Sequence, residues 1–144
     1  MKRSWSSKTL ALFLAALLAA PGVWAADKKA NDVLILDMRE VTPITDFFVI
    51  CSGNNDRQVA KIQEAVEERL RERGSKPLRR EGERFRRWVL LDYVDLVVHI
   101  FLQEDREYYE LERLWKDAPR LSWEDGMGEA GSSSGGGKAS GGAA

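Results

Sequence analysis

Few residues of this chain have the types and spacing that catalysis or metal binding requires. His99 is the only histidine and Cys51 the only cysteine, and each lies within an apolar run that is typical of a buried strand. A histidine or thiol in such a run is more often a packed core residue than a general base or a nucleophile. The sequence therefore predicts that both side chains are structural, and a lone cysteine leaves no internal disulfide.

Two carboxylates, Asp92 and Asp95, offer the one enzymatic alternative. A metal-dependent nucleotidyltransferase would use them to hold Mg²⁺. Such sites usually place their carboxylates two residues apart on one strand face. These two are three residues apart, and on a continuous strand they would face different ways. The spacing disfavours an active transferase, which is kept as the alternative function.

Aromatic residues are better candidates for binding. In "REYYELERLWKDA", a continuous helix at about 100° per residue turns Tyr109 away from the side that is buried. In "RWVLLD", Trp88 shares a strand face with Leu90 and Asp92, and exposed Trp and Tyr side chains commonly anchor protein interfaces. Packing of both rings over neighbouring charged side chains is the alternative that the pattern leaves open. The residues that the helix is predicted to bury are Tyr108, Leu111, Leu114, Trp115 and Ala118.

Charge is unevenly distributed along the chain. The formal net charge of −1 excludes bulk attraction to nucleic acid as the main driving force of binding. Residues 69–87 are nevertheless rich in arginine, whereas residues 92–112 are rich in acids. Such a surface suits a partner that mixes basic protein with phosphate, although solvation accounts for each charge taken singly. The arginines considered for contact with RNA are Arg79, Arg80 and Arg84.

The strands that must position these residues are short apolar runs. Residues 32–38, 46–53 and 95–102 are apolar at both odd and even positions. This pattern is typical of strands that are covered by helices on both faces of a sheet. Two further strands are predicted on either side of residues 81–82.

Helices are predicted between and after these strands. One begins at an N-cap, Asn55 or Asp56, buries one amphipathic face and stops at Gly74. A second helix runs from Asp105 to near Pro119. This order of elements predicts an α/β fold, with a mixed β-sheet flanked by helices in a single domain.

The 144 residues divide into three segments by composition. Residues 1–26 are apolar and alanine-rich, and they fit either a secretory signal with a cleavage point near Ala25 or an apolar helix that docks on the domain. Residues 27–123 are long enough for one modest core. Residues 124–144 are rich in Gly and Ser, which predicts a disordered tail.

The motifs of the central segment are specific in combination. The segments "DFFVICSG", "RWVLLDY", "LVVHIF" and "REYYELERLWKDA" together resemble the ribosomal silencing factor family, also called Iojap. The resemblance makes 27–123 a ribosomal silencing factor domain and implies a fold similar to nucleotidyltransferases without their catalytic carboxylates. It also implies a non-enzymatic translational repressor without a cofactor.

The resemblance implies how such a repressor works. It binds the large ribosomal subunit through universal ribosomal protein fourteen and so keeps the small subunit from joining, and it has a role in large-subunit biogenesis. Pairing of two copies through the same rings, as a homodimer, would compete with this binding. Residues implied or predicted to bind the partner are Trp88, Leu90, Asp92, Arg106, Tyr109 and Glu112.

Two features depart from the family pattern. Family members often have Gly where Val94 stands, so a tight bend there is predicted to be harder for this β-branched residue. The apolar N-terminal segment, 1–26, is the other departure. A ribosome-binding domain belongs in the cytoplasm rather than at a membrane or outside the cell. This favours an apolar helix, or a start codon placed too far upstream, over the signal.

Overall fold

A computed structural model describes residues 6–19 and 30–121 of the chain. The predicted cleavage point near Ala25 and the predicted disordered tail, 124–144, lie outside the described residues. The elements in chain order are α1 (Ser7–Ala19), β1 (Asn31–Asp37), β2 (Phe47–Gly53), α2 (Asp56–Glu72), β3 (Arg79–Glu81), β4 (Trp88–Asp92), β5 (Leu96–Leu102), α3 (Gln103–Tyr109), α4 (Leu111–Leu114) and β6 (Arg120–Leu121).

The described strands form one mixed sheet in the order β3-β4-β5-β2-β1-β6. The central strands β2 and β5 are parallel, and every other neighbouring pair is antiparallel. All seven residues of β5 are buried, as expected for a strand that is covered on both faces. The predicted fold class, a mixed sheet flanked by helices, is confirmed.

Helices cover the two faces of the sheet separately. Helices α1 and α2 pack with Val49, Val89 and Ile100 in the larger apolar core. On the opposite face, Leu111 at the start of α4 and Ala118 after it pack with Phe101 and other sheet residues in a smaller core. Because the short helices cover this smaller core only in part, side chains on the second face of the sheet reach solvent.

Helix α2 follows the predicted pattern closely. The side chain of Asn55 accepts a hydrogen bond from the backbone N–H of Gln58, which makes Asn55 the N-cap. Gly74 ends the segment with φ 81°, a conformation that glycine adopts without a Cβ clash. The buried face of the helix consists of Val59, Ile62, Ala65, Val66 and Leu70.

Within the apolar N-terminal segment, residues 7–19 form helix α1. Ala11, Leu14 and Ala15 are fully buried in the larger core. The hydroxyl of Ser7 also donates a 2.9 Å hydrogen bond to a carboxylate oxygen of Asp46. No helix in the described ranges combines the length and apolarity that crossing a bilayer needs.

The final helix differs from its prediction. It is interrupted at Glu110, which has left-handed backbone angles of φ 48° and ψ 52°, so α3 and α4 are separate helices. The prediction that Tyr108 and Leu114 are buried was wrong, since they are 77% and 70% exposed. One left-handed residue changes the direction of the chain, and the angular phase of a single helix no longer applies beyond it. Leu111 and Ala118 are buried as predicted.

The turn between β4 and β5 contains the predicted bend. Val94 has φ 76°, a region that β-branched residues rarely adopt because Cβ crowds the backbone. Its side chain is 54% exposed, so little apolar burial offsets this conformational cost. The structure thus confirms that the bend at this position is one that glycine would adopt more easily.

Candidate functional site

Five aromatic side chains come together on the second face of the sheet, and we call them the ring cluster: Trp88, His99, Phe101, Tyr108 and Tyr109. The ring centroid of Trp88 lies 4.8 Å from that of Phe101 and 4.9 Å from that of Tyr109. Tyr108 extends the cluster outward with an edge contact to Tyr109, at 5.0 Å. These distances are typical of favourable aromatic pairs.

Strand register and a direct strand-to-helix connection create the ring cluster. Trp88 on β4 pairs directly with Phe101 on β5, so their side chains share one face of the sheet. Helix α3 follows β5 without an intervening residue. The seven residues of this helix bring Tyr109, its last residue, back over Trp88.

His99 supports the ring cluster from inside. Its Nδ1 accepts a 3.1 Å hydrogen bond from the indole N–H of Trp88, which places the imidazole proton on Nε2. Burial lowers the pKa of His99 to about 3, because the charged form would lose its hydration. The side chain is therefore neutral at physiological pH, as expected for a structural histidine.

Cys51 is likewise a core residue. Its side chain is fully buried in β2, and burial raises the pKa of the thiol to about 12. A thiol that keeps its proton at neutral pH is a poor nucleophile. The prediction that Cys51 is a packed core thiol is confirmed.

The ring cluster is exposed only at its outer edge. Tyr109 is 50% exposed, and Trp88 is partly buried because Phe101 and His99 cover its inner side. The sequence indicated the exposure of Tyr109 but missed that of Tyr108, because it assumed one continuous helix. A partner with a complementary apolar surface would shield this exposed outer edge of the ring cluster from water.

Leu90 and Asp92 lie on the same face of β4 as Trp88. The carboxylate of Asp92 accepts hydrogen bonds from the backbone N–H of Val94, at 2.8 Å, and from the guanidinium of Arg79, at 3.3 Å. Asp92 therefore closes the turn between β4 and β5, which leads to Asp95. Within residues 6–19 and 30–121, no three metal-ligand side chains are grouped to hold an ion.

A cleft of about 390 Å³ opens beside Leu90 on this face. Ile44, Leu78 and Val94 are exposed apolar side chains that line it. His99 also contributes to the lining, and its Nε2 has no hydrogen-bond partner among the described residues. The cleft extends the exposed apolar area well beyond the rings, and apolar areas of this kind mark interaction sites.

Arg106 and Glu112 are placed differently from each other. Arg106 is only 8% exposed, which corrects its prediction as a residue of the binding surface. Its guanidinium donates to Glu112 at 2.8 Å, to the hydroxyl of Ser52 at 3.1 Å and to the carbonyl of Asn31 at 3.3 Å. A buried guanidinium is tolerated only when such partners replace its water. Arg106 thus fixes α3 and the partly exposed Glu112 to the sheet.

Three of the arginines near β3 and β4 are engaged in ion pairs. Arg79 pairs with Asp92 at 3.3 Å, Arg80 with Glu67 at 2.8 Å, and Arg87 with Asp105 at 3.1 Å. Arg84 is exposed, and its guanidinium lies over the ring of Phe85. Of the three arginines predicted to contact RNA, Arg84 is therefore the one not committed to a carboxylate in the described structure.

The fold and this surface together define a small α/β domain with a mixed sheet and an open aromatic face. The family model described as "Ribosomal silencing factor during starvation" matches residues 14–140. The chain belongs to the ribosomal silencing factor family.

Relatives and solved structures agree with this assignment. A ribosomal silencing factor from Bacillus subtilis is 43% identical over 103 residues, which cover 72% of this chain and 87% of the relative. A crystal structure of a protein from Bacillus halodurans superimposes with a TM-score of 0.62 at 36% identity, over 80% of this chain and 95% of that one. A mouse relative, "Mitochondrial assembly of ribosomal large subunit protein 1", is 33% identical over 91 residues, which cover 61% of this chain and 40% of that protein.

Proposed function

We propose that this protein represses translation by binding the large ribosomal subunit in the cytoplasm and covering the surface that the small subunit needs. The ring cluster docks on universal ribosomal protein fourteen, as the family resemblance implies. The mechanism requires no bond to be made or broken, because coverage of roughly 800 Å² of one partner is enough to exclude another.

One observation carries this proposal: the rings of Trp88 and Tyr109 are partly exposed to solvent and are also held in position by neighbouring side chains. Their rings contact each other at 4.9 Å, and the bond from Trp88 to His99 fixes the orientation of the indole. A ring that is already ordered loses little conformational entropy when a partner covers it. Rigid, partly exposed Trp and Tyr side chains are the residue types that dominate binding energy at interfaces.

Acidic side chains around the rings favour a basic partner. Glu104, Glu107 and Glu110 are exposed on α3 and at its end, next to the two tyrosines. Acids at the edge of an apolar contact accelerate association with a positively charged surface and discourage acidic partners. Of the other predicted binding residues, Leu90, Asp92 and Glu112 remain in the proposed surface, whereas Arg106 supports it from beneath.

A role in assembly of the large subunit is the second part of the proposal. The name of the mouse relative describes assembly of the mitochondrial large subunit. The same docking surface serves both roles, since a factor bound to the intersubunit face can also protect an unfinished particle.

Co-sedimentation with isolated large subunits tests the proposal. We expect Trp88→Ala and Tyr109→Ala each to weaken binding at least ten-fold, because truncation of a central interface residue commonly costs about 2 kcal/mol or more. Glu64→Ala, on the exposed side of α2, is the control and binds like the unchanged protein. Prior binding of the protein also reduces joining when small subunits are added.

Two results would contradict parts of the proposal. Full co-sedimentation of both ring variants would remove the ring cluster from the contact, and failure of the unchanged protein to bind would remove the function.

Light scattering at the same concentrations measures self-pairing, which would lower the concentration of free rings. Calorimetric titration with Mg²⁺ and nucleoside triphosphates addresses the transferase alternative, and tight nucleotide binding would support it.

A further inference from the structure

The β3–β4 loop, residues 82–87, displays an aromatic ring that no core requires. Phe85 is 71% exposed, although phenylalanine is among the residue types most often buried. The guanidinium of Arg84 lies 5.4 Å from the centroid of this ring, and Arg86 follows it directly. The loop therefore presents a flat apolar surface flanked by two positive charges.

The positive charge of this region is concentrated near the ring. Residues 78–87 contain five arginines and two glutamates, and all ten residues are exposed. Arg79, Arg80 and Arg87 are held in ion pairs. Arg84 and Arg86 make no ion pair with a carboxylate in the described part of the chain, so their charges are available to a ligand.

The backbone of the loop is fixed before any ligand binds. The N–H of Arg86 donates a 3.0 Å hydrogen bond to the carbonyl of Gly82, which closes a tight turn with Phe85 at its outer side. Gly82 has φ 82°, and a Cβ there would lie 1.9 Å from the carbonyl oxygen of Trp88. A closed turn packed against β4 fixes the backbone that carries these side chains, which lowers the entropic cost of binding.

We propose that the β3–β4 loop binds an unpaired nucleotide of RNA. The base stacks on the face of Phe85 that is opposite the Arg84 guanidinium, and Arg84 and Arg86 contact the phosphates on either side of it. Stacking on an aromatic side chain beside basic groups is the general way in which proteins hold single-stranded nucleic acid. An acidic peptide would also pair with the arginines, but it places a flat group beside its charges only where it has an aromatic residue. Every nucleotide carries a base next to its phosphate, so the geometry favours RNA.

This inference rests on the proposed function, because the loop lies next to the proposed docking surface. The loop leads directly into Trp88, and the ion pair between Arg87 and Asp105 joins its end to α3. An RNA contact at Phe85 therefore lies beside the protein contact at the ring cluster. A particle in which protein and RNA surfaces adjoin would engage both.

Fluorescence anisotropy with a labelled twelve-nucleotide uridine RNA, measured on the full chain over a range of salt, tests the loop directly. Phe85→Leu keeps apolar bulk but removes the π-face, and we expect it to weaken binding about five-fold to a hundred-fold with an unchanged salt dependence. Phe85→Tyr retains binding. The double variant Arg84→Gln/Arg86→Gln binds at least ten-fold more weakly, and its slope of log affinity against log salt decreases by about 1.4.

Controls distinguish the loop contact from general attraction between the protein and RNA and from the contact at the ring cluster. Arg113→Gln, which changes an exposed arginine on α4, binds the RNA like the unchanged protein. Equal binding by Phe85→Leu would overturn the stacking contact, and equal affinity for polyglutamate would overturn the choice of RNA. Because Trp88→Ala tests the ring cluster by co-sedimentation and Phe85→Leu tests the loop by anisotropy, failure of one proposal is distinguishable from failure of the other.

Discussion

The indole N–H of Trp88 donates a hydrogen bond to Nδ1 of His99, on the neighbouring strand, at 3.1 Å. Through this bond a buried, neutral histidine orients a partly exposed ring of the proposed binding surface. Phe48 makes a T-shaped contact with the same imidazole, with 4.5 Å between the ring centroids. The orientation of Trp88 therefore depends on the core of the sheet as well as on its exposed neighbours.

We expect the stability of the protein to fall between pH 7 and pH 5. The folded-state pKa of His99 is lowered to about 3 from an ordinary value of 6.5, so over this range the unfolded chain binds a proton that the folded chain does not. Stability is then complete above the unfolded pKa and is lost as the pH decreases, by about 2 kcal/mol between pH 7 and 5. Urea denaturation at the two pH values measures the change.

His99→Gln provides the matched control for this pH dependence. Glutamine offers an oxygen that accepts from the indole but does not titrate, and the chain has no other histidine. The variant should show a nearly constant free energy of unfolding over the same range. A slope that persists in this variant would assign the pH dependence to other groups.

Val94→Gly is expected to stabilise the fold. The substitution removes the Cβ that crowds a backbone with φ 76°, a relief of about 1–2 kcal/mol that exceeds the extra entropy of glycine in the unfolded chain. The denaturation midpoint should rise at constant m-value, by a net free energy of about 0.5–1 kcal/mol. Val94→Ala keeps the Cβ and should gain less. An unstable Val94→Gly variant would show that the exposed valine side chain contributes more than its backbone costs.

Arg106→Met should destabilise the protein by about 3 kcal/mol. The change deletes a buried guanidinium with three hydrogen-bond acceptors and leaves Glu112 and Ser52 without their donor. Arg113→Met is the comparison, because Arg113 is exposed and its pair with Glu110 at 3.5 Å contributes at most about 0.5 kcal/mol. Equal losses in the two variants would contradict the supporting role assigned to Arg106.

Gly82→Ala should be more damaging than Gly74→Ala, although both glycines have positive φ, 82° and 81°. An alanine at either position costs about 1 kcal/mol for the conformation alone. At position 82 the Cβ would also meet the carbonyl of Trp88 at 1.9 Å, so the start of β4 must move. We expect a total loss above about 2 kcal/mol by urea denaturation, together with weaker RNA binding. Equal losses at the two positions would show that the loop yields without strain.

The sequence predicted the elements whose signals are local. Strands β2 and β5 are apolar on both faces and lie at the centre of the sheet, and Asn55 caps α2. The alternation of β4 was also predicted correctly, since Val89 and Leu91 are buried in the larger core while Trp88 and Leu90 face the other way. In each case the side-chain pattern and the backbone preference indicate the same structure over a few residues.

The sequence predicted the binding surface less completely. The sequence identified Tyr109 from its angular position on one continuous helix, but α3 ends at this residue. Tyr108 was predicted to be buried, and it is exposed beside Tyr109. The predicted contact residues also included Arg106, although this side chain is buried in the structure. Ser52 and Asn31, which accept hydrogen bonds from the buried Arg106 guanidinium, are more than fifty residues away in the chain.

The sequence by itself determined the central strands of the sheet, helix α2 with its buried face, and the family that the chain resembles. Only the tertiary structure decided that the chain turns at Glu110 and that Trp88 meets Tyr109. It also decided that Phe85 is exposed between two arginines that pair with no carboxylate among the described residues. Periodicity reports which side of an element is apolar, and this information ends where the element ends. Contacts between side chains of different elements depend on register and on the direction of the chain at single residues, and neither quantity leaves a repeating pattern in the sequence.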